Sequence, residues 1–292
     1  MLLNEIRHDR NDRSLHCLHP GRIDGHRVEA EKRWHNDLYQ FLAKSIMTIL
    51  LSLQSALQQG RALKVISGLN NRDRDRVAAV VKAADLGGAT FVDIAADTDL
   101  VRMAKQMTSL PICVSAVEAE QFVTAVQAGA DLIEIGNYDC FYAQGRRFEA
   151  DEVLAITQAT RALLPDITLS VTVPHILPLD QQVQLAEALV NAGADMIQTE
   201  GGTSSAPTHA GTLGLIEKAA PTLAAAYEIA HAVDVPVLCA SGLSSVTAPM
   251  AIAAGAAGIG VGSAINKLDS EIAMIAVVRS LVEALATATV TA

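Results

Sequence analysis

Five side chains are of types that hold, move or accept a proton: Asp93, Glu134, Glu200, His175 and Lys64, each in or beside a short apolar run. Carboxylates drawn into one mouth repel each other, which raises at least one pKa and poises a general acid or base near neutrality. The same acids with one imidazole could instead hold Mg²⁺ or another divalent cation, and nothing in the spacing selects between the two. Asp93 and Glu134 could equally be buried acids satisfied by Ser67, Ser115, Thr168, Thr172 and Gln198, and His175, just after Pro174, could be an ordinary surface histidine. Lys64 is the one lysine after residue 47 that lies in an expected strand; the others are Lys82, Lys105, Lys218 and Lys267. It stands at that strand's beginning, nearer the stability face than the end where barrel chemistry occurs, although a short first strand could bring it inward. This argues against a Schiff-base aldolase but leaves an amine that could meet a phosphate or a cofactor carbonyl.

A second set of candidates is backbone. Ala240-Ser241-Gly242 closes one apolar run and Gly260-Val261-Gly262-Ser263 closes the next. Glycine lets N–H groups approach phosphate oxygens, and a following helix start favours negative charge. The alternative is that Gly242 and Gly262 only serve tight turns and helix packing.

The elements that must position these groups show in a repeat. The runs GATFVDIA, GADLIEIG, GADMIQTE and GAAGIGVG start at Gly88, Gly129, Gly193 and Gly255, each after an Ala-rich stretch of helical pattern. Five residues after each glycine stand Asp93, Glu134, Gln198 and Gly260; seven after stand Ala95, Gly136, Glu200 and Gly262. Side chains two apart on a strand share a face, so one face carries acids, an amide and glycines while the other is apolar. Between these units lie four more strands, around residues 64–67, 112–115, 167–172 and 237–241. Helical patterns fall near 74–86, 97–107, 118–128, 149–164, 180–192, 213–233, 246–254 and 269–286. Eight strands alternating with eight helices predict an α/β fold, a (β/α)₈ TIM barrel in a single domain spanning 47–292, with the acid-bearing face inside. The rival, an open doubly wound sheet, lacks a nucleotide fingerprint at its first strand.

Composition bounds the partners. The net charge of −10 argues against nucleic acid, whose phosphates want a clustered basic face, and no apolar run is long enough to span a membrane. Cys17, Cys113, Cys140 and Cys239 have no metal or redox spacing and read as small core residues of a reducing compartment. Residues 1–46 hold eight Lys or Arg, seven Asp or Glu and five of the eight histidines, without periodicity. They fit neither a transit peptide nor a secretory signal, and read as a disordered extension or as sequence upstream of a start at Met47. The loop over 136–148 combines aromatics with Arg146 and Arg147, suited to a lid that receives an anion or to a contact in a homo-oligomer.

The phrases LKVISGLNN (63–71), FVDIAAD (91–97), LPICVSAVE (110–118), IEIGNYDCFYAQG (133–145), LSVTVPH (169–175), IQTEGGTSS (197–205) and LCASGLSSVTAPMAIAAGAAGIGVGSAIN (238–266) resemble the hypothetical chloroplast reading frame 23 family, domain of unknown function 561, of cyanobacteria and algal plastids. The resemblance implies a barrel-like fold, a start near Met47, and a place in the cyanobacterial cytosol or the plastid stroma; it implies no activity. The C-terminal third is also similar to FMN-dependent barrels of the nitronate monooxygenase type, matching at Glu200-Gly201-Gly202, Ser241-Gly242 and Gly262-Ser263. That likeness implies that Gly201, Gly202, Ser241, Gly242, Gly262 and Ser263 bind a phosphate, and that FMN is a candidate cofactor. The chain departs from it by offering Thr203-Ser204-Ser205 where those enzymes carry a histidine, and Ser67-Gly68-Leu69 where they carry a Pro-Met turn.

The leading expectation is an enzyme of lyase or isomerase type acting by proton transfer on a small phosphorylated metabolite, with Glu134 or Asp93 as base. The alternatives are an FMN-dependent oxidoreductase and a noncatalytic metabolite-binding or regulatory barrel.

Overall fold

The computed structural model describes residues 51–201 and 206–288; the 1–46 segment with Cys17, and the stretch Gly202 to Ser205, lie outside the described residues. Eight strands alternate with helices: β1 (Ala62–Ile66), α1 (Arg74–Gly87), β2 (Phe91–Ala95), α2 (Thr98–Met107), β3 (Ile112–Ala116), α3 (Ala119–Gln127), β4 (Leu132–Ile135), the short α4 (Asp139–Tyr142), α5 (Ala150–Leu163), β5 (Thr168–Thr172), α6 (Leu179–Asn191), β6 (Met196–Gln198), α7 (Gly211–Ala230), β7 (Val237–Ala240), α8 (Ala248–Ala253), β8 (Gly258–Val261), the short α9 (Ser263–Asn266) and α10 (Glu271–Ala286). Every strand pairs in parallel with the next, and β8 returns to β1 with Lys64 beside Gly260, closing the (β/α)₈ barrel and excluding the open sheet.

The repeated Gly-Ala turn has two physical jobs. Gly88 ends α1 at φ +84°, a left-handed conformation in which its N–H reaches back to the Ala84 and Asp85 carbonyls, and Gly129, Gly193 and Gly255 also have positive φ. Two residues later, the acceptors Thr90, Asp131 and Asp195 take the N–H groups of Leu63, Ile112 and Leu169 at 2.9, 2.8 and 2.8 Å. Three of the four even units thus tether the start of the odd strand before them; the fourth has Ala257 at that position and no side-chain acceptor. Lys105 and Arg161 pair with Asp131 and Asp195.

Period-two alternation then sorts the two faces. Leu63, Val65, Val92, Ile94, Ile133 and Ile135 are buried against the helix ring, while Lys64, Asp93, Glu134 and Gln198 point inward, all at most 1% exposed. The barrel's lower end is filled by Phe91, Cys113, Leu132, Met196 and Leu238 with Leu53 and Leu57 of the preceding helical segment, which leaves the carboxyl ends of the strands as the chemical face. Cys113 and Cys239 are buried core thiols, as their strand positions predict.

Candidate functional site

One interior layer carries the charged groups. Glu134 Oε2 accepts from Lys64 Nζ at 2.5 Å and Ser170 Oγ at 2.8 Å; its Oε1 accepts from Gln198 Nε2 at 2.8 Å and Asn137 Nδ2 at 3.0 Å. Lys64 also donates to Gln198 Oε1 at 3.1 Å. Asp93 takes one hydroxyl, from Ser115, at 2.6 Å. Burial alone would push Lys64 toward the neutral amine, but Glu134 and Asp93 hold its pKa well above the ordinary lysine value. Burial raises Asp93 to about 6, against the attraction of Lys64 and with the repulsion of Glu134. One ammonium faces two carboxylates, and Glu134, with four donors, is the better solvated of them.

Lys64 is the third residue of β1, level with Phe91 at the lower end of β2, and its side chain reaches inward to the charged layer, where Nζ meets Glu134.

Above this layer a cavity of about 140 Å³ opens at the carboxyl ends of the strands. Its floor is Gln198 with Thr172, Gly260 and Ile66; one wall is Ser241 to Leu243 and Gly262 to Ala264, and the facing wall is Asn137, Asp139 and Glu200. Of the five predicted proton-handling residues only Glu200 lines it. Lys64, Asp93 and Glu134 are sealed beneath the floor: a Cβ on Gly260 would meet Ala240 Cβ at 2.9 Å and Gln198 Oε1 at 3.2 Å.

Glu200 closes the mouth on the side of β4 to β6. Its Oε1 accepts from the Asp139 N–H at 3.0 Å, and its Oε2 accepts from Tyr142 Oη and faces His175 Nδ1, both at 3.0 Å. Burial lowers the His175 pKa, but the Glu200 hydrogen bond and charge outweigh it and leave the imidazole above its ordinary value. His175 is thus no plain surface residue. The rest of the 136–148 loop packs on itself: Tyr138 and Phe148 are buried with ring centroids 4.5 Å apart, and Arg146 lies over Phe148 and pairs with Glu152.

Two backbones on the cavity are strained. Among the described residues Asn137 (φ 66°) and Ser241 (φ 81°) are the non-glycine residues with positive φ, and both line the cavity. Such strain gathers at functional sites because the surroundings must hold it. Replacing Ser241 with glycine is expected to stabilise the fold by about 1 kcal/mol; urea denaturation checks this, and an unchanged midpoint would mean that the turn is not strained. Gly242 has φ +73°, and a Cβ there would lie 2.7 Å from the Lys218 carbonyl oxygen, so the turn demands glycine. Gly262 is different. Its φ is −114° and a Cβ would come no closer than 3.4 Å to Ile66 O, so conformation does not require glycine, and an added side chain would instead crowd the cavity. Asn266 pins this corner by donating to the Ile66 and Ser67 carbonyls at 2.6 and 3.0 Å. Of the expected phosphate grip, Ser241, Gly242, Gly262 and Ser263 line the cavity and Gly201 packs on Thr222 and Ser241 just behind it.

The chain matches the profile of the protein family of unknown function DUF561 over residues 48–291. It is 46% identical over 224 residues to the uncharacterized protein ycf23 of Cyanophora paradoxa, covering 76% of this chain and 92% of that one. Among solved structures it resembles (S)-3-O-geranylgeranylglyceryl phosphate synthase from Thermoplasma acidophilum in complex with sn-glycerol-1-phosphate, with TM-score 0.54 and 16% identity over 80% of this chain and 97% of that one. It also resembles 3-hexulose-6-phosphate synthase, with TM-score 0.55 and 16% identity over 76% and 99% of the two chains.

Proposed function

We propose that this chain, which belongs to the protein family of unknown function DUF561, is an enzyme that binds a small phosphorylated metabolite and transfers a proton on it. The observation that carries this reading is the two-sided cavity. The Ser241–Gly242 and Gly262–Ser263 backbones form one wall, suited to phosphate oxygens, and Glu200 backed by His175 stands on the other. Phosphate ligands of barrels with this fold favour the same corner, after the seventh and eighth strands. The sealed Lys64, Asp93 and Glu134 layer then shapes the floor and its electrostatics. Glu134, with both oxygens already taking two donors each, has no acceptor left for a substrate proton. The reading is that of a lyase or isomerase at work in the cyanobacterial cytosol or the plastid stroma. Among the described residues no helix is long and apolar enough to cross a membrane.

The test is Gly262→Asp, which keeps the backbone angle and puts a carboxylate on the phosphate wall. Circular dichroism should be unchanged, while binding of glycerol phosphate, followed by calorimetry, should weaken at least about tenfold through repulsion and lost space. Equal affinity in the folded variant would remove the phosphate from this wall. An absorption band near ~450 nm in protein purified under mild conditions would transfer the reading to a flavin phosphate, and glycerol phosphate binding with no turnover on a panel of sugar phosphates would transfer it to a noncatalytic sensor.

A further inference from the structure

We infer that Asp139, His175 and Glu200 form a binding site for one divalent transition-metal cation, such as Mn²⁺ or Zn²⁺. The ends of three consecutive strands supply them: Asp139 follows β4, His175 follows β5 and Glu200 follows β6. One ligand atom from each lies within 4.8 Å of the other two. His175 Nδ1 is 3.0 Å from Glu200 Oε2 and 3.8 Å from Asp139 Oδ1. Neighbouring ligands about 2.1 Å from a shared ion stand roughly 3 Å apart, so small side-chain adjustments close the set. One imidazole nitrogen with two carboxylate oxygens suits Mn²⁺ or Zn²⁺ better than Ca²⁺, which takes oxygen alone.

Two further observations point to a ligand. The Glu200 side chain is only 5% exposed and its Oε2 is held from outside the cluster by the Tyr142 hydroxyl at 3.0 Å, the kind of outer support that fixes a ligating carboxylate. The second is charge. Asp139 and Glu200 line the cavity, and no lysine or arginine is among the described residues that do. An anionic substrate brought against two carboxylates needs a countercharge, and a cation on this wall supplies it opposite the Gly242 and Gly262 wall. This part of the inference rests on the proposed function; binding of the cation itself does not. With the cation in place Glu200 and His175 hold it instead of transferring the proton directly, and the substrate class narrows to phosphorylated compounds with a hydroxyl or carbonyl oxygen close enough to the phosphate to reach the ion.

The experiment uses the full chain, stripped with a chelator, and Mn²⁺ followed by the loss of its free electron paramagnetic resonance signal, with Zn²⁺ as competitor. One Mn²⁺ per chain is expected, displaced by Zn²⁺, with affinity falling at least about tenfold in Asp139→Asn and in His175→Ala. It should be unchanged in Glu187→Gln, an exposed acid on α6. Asp139→Asn keeps the N–H that holds Glu200, so it tests the ligand even if His175→Ala loosens the loop. No Mn²⁺ binding by the native chain, or equal binding in both variants, overturns the site. Glycerol phosphate binding is measured separately on the stripped and the Mn²⁺-loaded chain. Tighter binding with Mn²⁺ supports the countercharge. Binding without any Mn²⁺ site leaves the phosphate wall standing and returns Glu200 and His175 to direct proton transfer.

Discussion

Lys64→Met is expected to destabilise the protein by about 3–5 kcal/mol, the usual cost of leaving one member of a buried ion pair without its partner. Glu134 is fully buried, and removal of the ammonium leaves its charge on Ser170, Gln198 and Asn137 alone. Methionine fills nearly the volume of the lysine stem, so the loss reports charge rather than a cavity. The double variant Lys64→Met with Glu134→Gln removes both charges and should recover much of the loss, giving a coupling energy that a packing defect would not show. Because the Lys64 pKa is raised above 10.5, its contribution is fully present below that value and fades only as pH climbs toward the folded value. The Lys64 titration itself therefore adds no slope to native stability between about pH 6 and 9. The variant should lose stability as pH rises there, because without the ammonium the buried Asp93 carboxyl titrates higher, so the difference in urea titrations widens with pH. A cost under about 1 kcal/mol would mean that water reaches the pair and that the layer is not sealed.

What could be read from residues alone divides along physical lines. Asp93, Glu134, Gln198 and Glu200 were placeable because each lies a fixed number of residues beyond a glycine whose left-handed turn sets the strand's start, and from there period two does the rest. Lys64 follows a left-handed glycine too, Gly60 at φ +64°, but it stands four residues beyond it and not five, and Arg61 replaces the alanine of the repeat, so the count that placed the others does not transfer to β1. The roles within the layer were hidden for another reason. Glu134 gains its four donors from β1, from β5, from β6 and from Asn137 beyond β4, groups up to 70 residues away in sequence that only barrel closure brings together. Asp139 and Tyr142 lie in a loop whose aromatics and arginines suited a lid or wall that receives an anion, or a contact in a homo-oligomer. Tyr138 and Phe148 are buried against each other while Arg146 and Arg147 are exposed, and the loop's contribution to the cavity wall is made by Asn137 and Asp139, with the Tyr142 hydroxyl on Glu200.

Asp93→Asn is expected to abolish a pH dependence of stability that the native protein shows between about pH 4 and 6. The Asp93 carboxyl titrates at about 6 in the fold against a reference of 3.8. Between those values the folded chain keeps a proton that the unfolded chain releases, so stability falls as pH rises through the window and levels off above it. The total is on the order of 3 kcal/mol, since each pKa unit carries about 1.4 kcal/mol. Asparagine cannot ionise, and its carbonyl oxygen can still accept from Ser115 as Asp93 Oδ1 does. Its amide nitrogen replaces Oδ2, an atom with no hydrogen-bond partner, so no existing bond is lost there. The attraction of Lys64 for the ionised carboxyl is already contained in the folded value of about 6, so the variant should run near the native protein's low-pH stability and exceed the native protein above about pH 6. The measurement is the urea midpoint at pH 4.5, 5.5, 6.5 and 8 for both proteins, with unchanged m-values to confirm a common unfolded state. A native profile as flat as the variant's would mean that Asp93 is ionised throughout, and the layer would then hold two charged carboxylates on one ammonium. A slope confined to the native protein identifies Asp93 as the residue that keeps a proton beneath the cavity floor. Its separation from the cavity by Gln198 and Gly260 predicts that glycerol phosphate affinity at pH 8 will be the same in both proteins.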